Sequence, residues 1–319
     1  MTSYLLRRLS HAVIVVFLVT IFVFLLLHLL PGGPARAVLG QRATPRSIAL
    51  FNQQNGLNKP IYIQYMVYLD HLLHGNLGFS YKLNEPVTTV LAQYVPKSIL
   101  LVGTAYLLAL IIAIPLGIFQ SIRRNTIADY FFTAGSFIFY SMPAFWLGLL
   151  LILYFAVNIH LFPAEAPQGA TLGQIISNPA GLVLPVITIA LITVALFSRY
   201  MRSSMMENLT QDYVRTAKAK GLNSRQILFG HVLRNALIPI ITLIGLSLPT
   251  IFQGALITES VFNYPGVGFE FISAAIGQDY PVLLGFTLMI GIASVVGSLL
   301  ADILYAVVDP RVRYGKGTK

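Results

Sequence analysis

The stretch HAVIVVFLVTIFVFLLLHLL, His11 to Leu30, contains no Asp, Glu, Lys or Arg. A helix of about 20 such residues spans the roughly 30 Å hydrocarbon core of a bilayer, where every backbone polar group must be paired within the segment. Arg7 and Arg8 precede it and Ala35-Arg36-Ala37 follows, the outline of a secretory leader with a cleavage-like site. An apolar core of about 20 residues exceeds the roughly 7–15 of a leader, so the segment reads as an uncleaved anchor.

Five further stretches meet the same requirement: Ser98 to Phe119, Tyr130 to Val157, Leu182 to Phe197, Ala236 to Thr258 and Tyr280 to Val308. The third is interrupted by Pro143, which leaves a first piece too short to span, and it reads as one kinked, tilted helix. Composition agrees: 56% of the 319 residues are hydrophobic and only 10% charged, against roughly 25% charged in soluble domains. The expected class is an all-α membrane protein with six transmembrane helices, whose function is moving a solute. With no cysteine, there is neither a disulfide framework nor a thiolate metal site.

The net charge of +10 would raise nucleic-acid binding in a soluble protein. Its distribution indicates topology instead. With the N-terminus inside, the cytoplasmic segments hold Arg7, Arg8, Arg123, Arg124, Arg199, Arg202, Arg215, Lys218, Lys220, Arg225, Arg234, Arg311, Arg313, Lys316 and Lys319, fifteen of the 21 basic residues. The other six lie between Leu30 and Ser98. Excess Lys and Arg mark cytoplasmic loops, so both termini are expected inside, and nucleic acid is excluded as a partner.

Three regions follow. Residues 1–30 are a tail and the first span, 31–97 an extracytoplasmic helical insertion, and 98–319 a five-helix core with a basic loop over 203–235. In the insertion, Thr44-Pro45 opens a helix that Gly56 ends. A second helix after Pro60 puts Ile61, Tyr65, Tyr68, Leu69, Leu72 and Leu73 on one face, and Asn84-Glu85-Pro86 opens a third with Val87, Val90, Leu91 and Tyr94. The insertion is either packing over the bundle or a docking surface or lid.

In the basic loop, Thr210-Gln211-Asp212 reads as a helix start, with an acid near the positive end of the dipole. Lys218 and Lys220 suit the helix end, Gly221 takes the left-handed closing conformation, and Asn223 with Gln226 opens a second helix. Helix, glycine turn and helix form a rigid handle for another protein.

Asp212-Tyr213-Val214-Arg215-Thr216-Ala217-Lys218-Ala219-Lys220-Gly221, followed by His231-Val232-Leu233-Arg234-Asn235-Ala236-Leu237-Ile238-Pro239, resembles the coupling loop of binding-protein-dependent ABC importer permeases. The general pattern there begins Glu-Ala-Ala and places proline thirteen residues after the glycine. Arg215-Thr216-Ala217 and Arg234 stand at those places here, as in the oligopeptide, dipeptide and nickel group. His28-Leu29-Leu30-Pro31-Gly32-Gly33-Pro34, Gly56-Leu57-Asn58-Lys59-Pro60, Gly75-Asn76-Leu77-Gly78, Pro143-Ala144-Phe145-Trp146-Leu147-Gly148, Glu259 through Gly268, and Asp302 through Arg311 extend the likeness over nearly the whole chain. They match the first permease of the pair, which carries the extended outer loop.

The resemblance implies the type I ABC importer permease fold in the cytoplasmic (inner) membrane of a prokaryote. It implies a second homologous permease, two cytoplasmic ATPase subunits and an extracytoplasmic substrate-binding protein that delivers peptide. ATP and Mg would sit on the partner subunits, with no cofactor on this chain. It also implies an ATPase-coupling set of Asp212, Arg215, Ala217, Lys218, Ala219, Lys220, Gly221, His231, Arg234 and Asn235. There Ala217 and Ala219 keep the helix thin enough for a groove on the ATPase, while Arg215, Lys218 and Lys220 meet acidic or carbonyl groups.

Other motifs carry less. Gly266-Val267-Gly268 would need glycine at Phe271 to complete a dinucleotide fingerprint, and no G-x-x-x-x-G-K-[ST] occurs. His71 and His74 with Asp70 lack a clear further ligand, so no metal is expected. Ionisable groups near spans are functional suspects because burying charge in lipid costs energy. Glu259, with the bend of Asn263, Tyr264, Pro265, Gly266 and Gly268, is a candidate outer gate, unless it simply pairs with loop amides; Asp302 reads as structural. Ala293 and Gly297, four apart, allow close helix approach within the chain or between permeases. An ion-coupled secondary transporter is the rival, and no span has a charged centre to serve it. Peptides lead as substrate, with nickel chelates, opines and other small conjugates open.

Overall fold

The computed structural model describes residues 2–29, 33–40, 42–54, 56–80 and 82–308. The expected motif residues Pro31, Gly32 and Asp309 to Arg311, the terminal bases Arg313, Lys316 and Lys319, and the side chains of Arg7, Arg8 and Asp302 lie outside the described set.

Helix α1 (Thr2–Leu29) leads into a chain of short pieces, α2 (Gly33–Leu39), α3 (Pro45–Gln54) and α4 (Ile61–Leu73). The Ser47 amide donates to Thr44 Oγ1 (3.2 Å), so Thr44 caps α3 as expected. Strand β1 (Phe79–Ser80) pairs antiparallel with β2 (Glu85–Pro86). Helix α5 (Val87–Ile122) then runs unbroken through Pro96 and Pro115. This corrects the expected third helix of the insertion, which is the first part of α5. Pro96 removes one backbone hydrogen bond, but buried Val87 and Val90 before it and Leu101, Val102 and Ala105 after it hold one continuous helix against the rest of the fold.

Helix α6 (Ile127–Ser141) and α7 (Ala144–Leu151), extended by a π-type stretch Ile152–Asn158, meet at an angle of 107°. The expected single kinked helix is therefore two helices with a sharp break at Pro143, the shape of a broken span or of a re-entrant loop. Met142 before Pro143 is extended (φ −80°, ψ 127°), because the proline ring disfavours the helical conformation at the preceding residue. After α8 (Leu172–Ile176) and a 3₁₀ turn, α9 (Val183–Leu209) continues past Phe197, where the fourth span was expected to stop. It carries its arginines along the bundle wall. Arg202 makes two bonds to buried Asp129 of α6 (2.8 and 2.7 Å), and the Arg199 guanidinium lies over Phe137 (4.4 Å).

The basic loop contains α10 (Asp212–Ala219) and α11 (Ser224–Gln226). Helix α12 (Leu233–Gln253) follows after a π-type stretch, Ile227–Val232. Gly254 at φ 77° ends α12, so the expected fifth span is too long at its far end, and Thr258 belongs to α13 (Leu256–Val261). Helices α14 (Val267–Gly277) and α15 (Tyr280–Val308) complete the fold. Among the described residues five helices are long and apolar enough to cross a membrane, and the number is six if the bent α6–α7 pair counts as one span.

Small residues set the core. Ala105, Ala109 and Ala113 of α5 are buried against Phe197, Met201 and Met205 of α9. On the same face, a Cβ at Gly117 would stand 2.6 Å from that of Met201. Such a stripe lets two backbones approach closely where lipid offers no hydrophobic drive to join helices. Gly297 of α15 lies against Pro249 of α12 (2.8 Å from an added Cβ). Of the two readings of that residue, packing within the chain is the one observed.

Candidate functional site

The loop at the basic end of the bundle is built almost entirely from local contacts. Thr210 does not open α10: its hydroxyl donates to the Glu207 carbonyl (2.8 Å) and closes α9, while Gln211 stands at the N-cap without a side-chain bond. At the other end, Gly221 (φ 79°) donates to the Lys218 carbonyl (2.9 Å) and Leu222 to the Ala217 carbonyl (3.3 Å). This is the paired closure that a left-handed glycine permits. The next helix opens with a reciprocal box in which the Gln226 amide donates to Asn223 Oδ1 (2.9 Å) and the Asn223 amide to Gln226 Oε1 (3.1 Å).

One face of α10 is anchored. Val214 and Ala217 are buried in the cluster that holds Met205, Ile227, Val232 and Ala236. Ala217 was expected to slim the helix for a partner's groove; its position corrects this, because it packs on the chain's own core. Asp212, Arg215, Lys218, Ala219, Lys220 and Gly221 are exposed, as are His231, Arg234 and Asn235. Arg215 and Asp212 pair at 3.5 Å with both side chains in solvent, a geometry of little energetic weight. The result is a rigid helix presenting a basic outer surface. Sequence reasoning missed Phe229, which is half exposed and lines an open groove with Leu222, Arg225, Gln226 and His231. The π-type stretch at Ile227–Val232 shifts the register by a residue, which a 3.6-residue period does not reveal.

The turn at the opposite end is constructed differently. Glu259 is fully buried, the loop-amide reading of that residue. Its Oε1 accepts from the Ser98 hydroxyl (2.7 Å) and the Ala255 amide (3.1 Å). Its Oε2 accepts from the amides of Gly268 (2.7 Å) and Phe269 (3.2 Å). Ser98 Oγ in turn accepts from the Val267 amide (2.7 Å), and the Tyr264 hydroxyl donates to the Lys97 carbonyl (2.7 Å). A Cβ at Gly266 would lie 2.5 Å from Glu259 Oε2, and one at Gly268 would overlap the Leu256 backbone. Asn263 sits at φ 51° and its carbonyl accepts from the Gln168 side chain; Pro265 is half-buried beside it. Burial pushes the Tyr264 phenol above its ordinary value, so it stays a donor. Five of the six candidate gate residues thus belong to one hydrogen-bonded knot joining α5, α13 and α14, and Pro265 lies within its turn. Ser98, Lys97 and Gln168 were not anticipated, because nothing local in the sequence marks them.

Among the described residues no three His, Asp or Glu side chains group as metal ligands. His74 instead bonds the Asp70 carbonyl through Nδ1 (2.8 Å).

Two family models match the chain: the binding-protein-dependent transport system inner membrane component over residues 113–314, and the N-terminal membrane component of such systems over residues 1–102. The chain is 37% identical over 316 residues to the oligopeptide transport system permease protein AppB of Bacillus subtilis, covering 98% of this chain and 100% of that one. It is 36% identical over 335 residues to the probable D,D-dipeptide transport system permease protein DdpB of Escherichia coli K12 (99% and 98% covered). The dipeptide transport system permease protein DppB of the same strain is 34% identical over 339 residues (99% and 100%).

Proposed function

The chain belongs to the family of binding-protein-dependent transport system inner membrane components, and from that premise we propose that it is a permease subunit of an ATP-driven ABC importer of peptides. Its fold is the type I ABC importer permease fold of that family. With a second, homologous permease it forms the translocation pathway, an extracytoplasmic binding protein delivers the peptide, and two cytoplasmic ATPase subunits hydrolyse ATP with Mg. The chain itself is non-catalytic. Peptide as the cargo rests on the names of its relatives.

The observation that carries the coupling role is the α10 loop. It is anchored to the core by Val214 and Ala217, closed at both ends by local hydrogen bonds, and exposed along Arg215, Lys218 and Lys220. A rigid exposed helix transmits a push from a partner without deforming. The Gly221 turn is the test. A β-branched residue is strongly disfavoured at positive φ, so Gly221→Val displaces the docking surface at a local cost of about 1–3 kcal/mol. In lipid vesicles holding the complete complex, the variant should insert and pair with the second permease yet lose ATPase recruitment or uncouple hydrolysis from uptake. Fully coupled uptake would make the loop an ordinary linker.

Orientation is proposed with both termini cytoplasmic, in the inner membrane of a prokaryote. Single cysteines at Asn52 and Ser224 should differ in labelling by an impermeant reagent on intact cells, with only Asn52 accessible. The reverse pattern would invert the topology.

A further inference from the structure

The insertion after the first span was expected to stand outside the membrane, yet α4 is placed well down the side of α1. The Tyr65 hydroxyl bonds Thr20 Oγ1 (2.8 Å), and its ring packs edge-on against Phe24 (5.2 Å between centroids) and Phe17 (6.0 Å). Tyr68 packs on Phe24 as well (5.6 Å), and Gln64 Oε1 meets His28 Nε2 at 2.8 Å. Thr20 and Phe17 lie about 14 Å and about 18 Å below the Leu29 end of α1, at 1.5 Å per helical residue. A tyrosine side chain is far shorter than either depth. The body of α4 therefore lies beside the outer part of a membrane-spanning helix, at the height where α1 exposes Leu18, Phe22 and Leu25.

On the side turned away from α1, α4 presents Tyr62, Met66, Leu69 and Leu73, spaced four, three and four residues apart and so aligned in one stripe; this corrects the single face expected to join Leu69 and Leu73 to Tyr65 and Tyr68, which pack on α1. Tyr62 is 66% exposed, Met66 64% and Leu73 86%. No residue of α4 is fully buried. The next edge of the helix carries Asp70 and His74, both well exposed and paired with each other. An apolar stripe with a tyrosine at one end and a polar edge along one side suits a helix lying at the boundary of a membrane. In water such a stripe would be an uncovered liability; at this height it continues the exposed apolar surface of α1.

We propose that α4 is an interfacial helix of the outer leaflet, with Tyr62, Met66, Leu69 and Leu73 seated in lipid and the Asp70–His74 edge in water. The insertion is thereby held against the bundle by the bilayer, which limits how far it can swing from α1. The leaflet rests on the orientation proposed above, and cysteine labelling at Asn52 tests that separately; the depth of α4 is read without it.

The chain has no cysteine, so single nitroxide labels can be placed at Met66→Cys and Leu73→Cys, with Asp70→Cys as the aqueous reference and Leu18→Cys as the lipid reference. The assembled transporter is reconstituted in vesicles of phosphatidylcholine and phosphatidylglycerol, and collision rates with oxygen and with a water-soluble nickel chelate are compared. Oxygen accessibility at Met66 and Leu73 should exceed nickel accessibility several-fold, as at Leu18, with the reverse at Asp70. Nickel accessibility equal to that of Asp70 would make the stripe a water-facing surface and overturn the proposal. Low accessibility to both would show a protein covering it, and would overturn it equally. Tyr62→Cys gives an independent reading should either label disturb insertion.

Discussion

The basic loop contains a helix closed by a glycine at positive φ, Gly221, and the Glu259 turn follows one closed in the same way by Gly254. In every other respect they are opposites. The bonds that close α10 and open the helix after it join residues three to five positions apart, and the charged side chains there point to solvent. The Glu259 knot adds bonds between residues 161 to 169 positions apart to local ones of 4 to 10, and its ionisable group is sealed from solvent. The first arrangement keeps a surface available for a partner. The second spends its hydrogen bonds internally and ties the ends of α5, α13 and α14 together. Substitutions in the knot should therefore act through stability and assembly, and those in the loop through coupling alone.

The largest effect is expected from Glu259→Ala. It leaves the Ser98 hydroxyl and three backbone amides without their acceptor in a buried site, at about 1–3 kcal/mol for each buried polar group left unsatisfied. Thermal unfolding of the purified chain in detergent should shift strongly downward, and complex yield should fall. Glu259→Gln keeps the size but turns an NH₂ group toward amide donors, so stability should fall by less. If the glutamine variant assembles normally and uptake changes, the knot is a gate as well as a tie; unchanged uptake removes Glu259 from gating.

Gly221→Ala comes next. Placing a side chain at φ 79° costs about 1 kcal/mol, the difference glycine saves in that conformation. The melting temperature should barely move while transport falls measurably. A matching fall in both would erase the contrast between the two regions.

A smaller, pH-dependent effect belongs to Glu270 on α14. Burial pushes its carboxyl above the ordinary carboxylate range, partly offset by the Tyr94 hydroxyl. A group whose folded pKa is raised favours the folded state below its unfolded value, and that contribution is lost as pH rises through the folded value. Glu270→Gln should flatten the decline of stability between mildly acidic and neutral pH. An unchanged slope would show that the decline comes from elsewhere.

The smallest effect is expected at the Asp212–Arg215 pair. Both side chains are solvated, so Asp212→Asn should change stability by less than about 0.5 kcal/mol. A shift comparable with that of Glu259→Ala would mean the loop is tied to the core far more tightly than its contacts indicate.

What could be read from the sequence alone was whatever a short window encodes. Apolar length marks a membrane crossing, Gly221 marks a positive φ, and Asn223 with Gln226 marks a helix start; each depends on neighbours within a turn or one span, and each is found in the structure. The tertiary structure decided the rest. Asp129 meets Arg202 across 73 residues and Ser98 meets Glu259 across 161, and no periodicity of the chain connects such positions. Pro143 announces a break, but its angle of 107° follows from what each half packs against. Ala217 reads as a small residue on a thin exposed helix until Ile227 and Val232 close over it. Local backbone physics determines where elements begin and end, and only the packed chain decides which of their faces remain free for a partner.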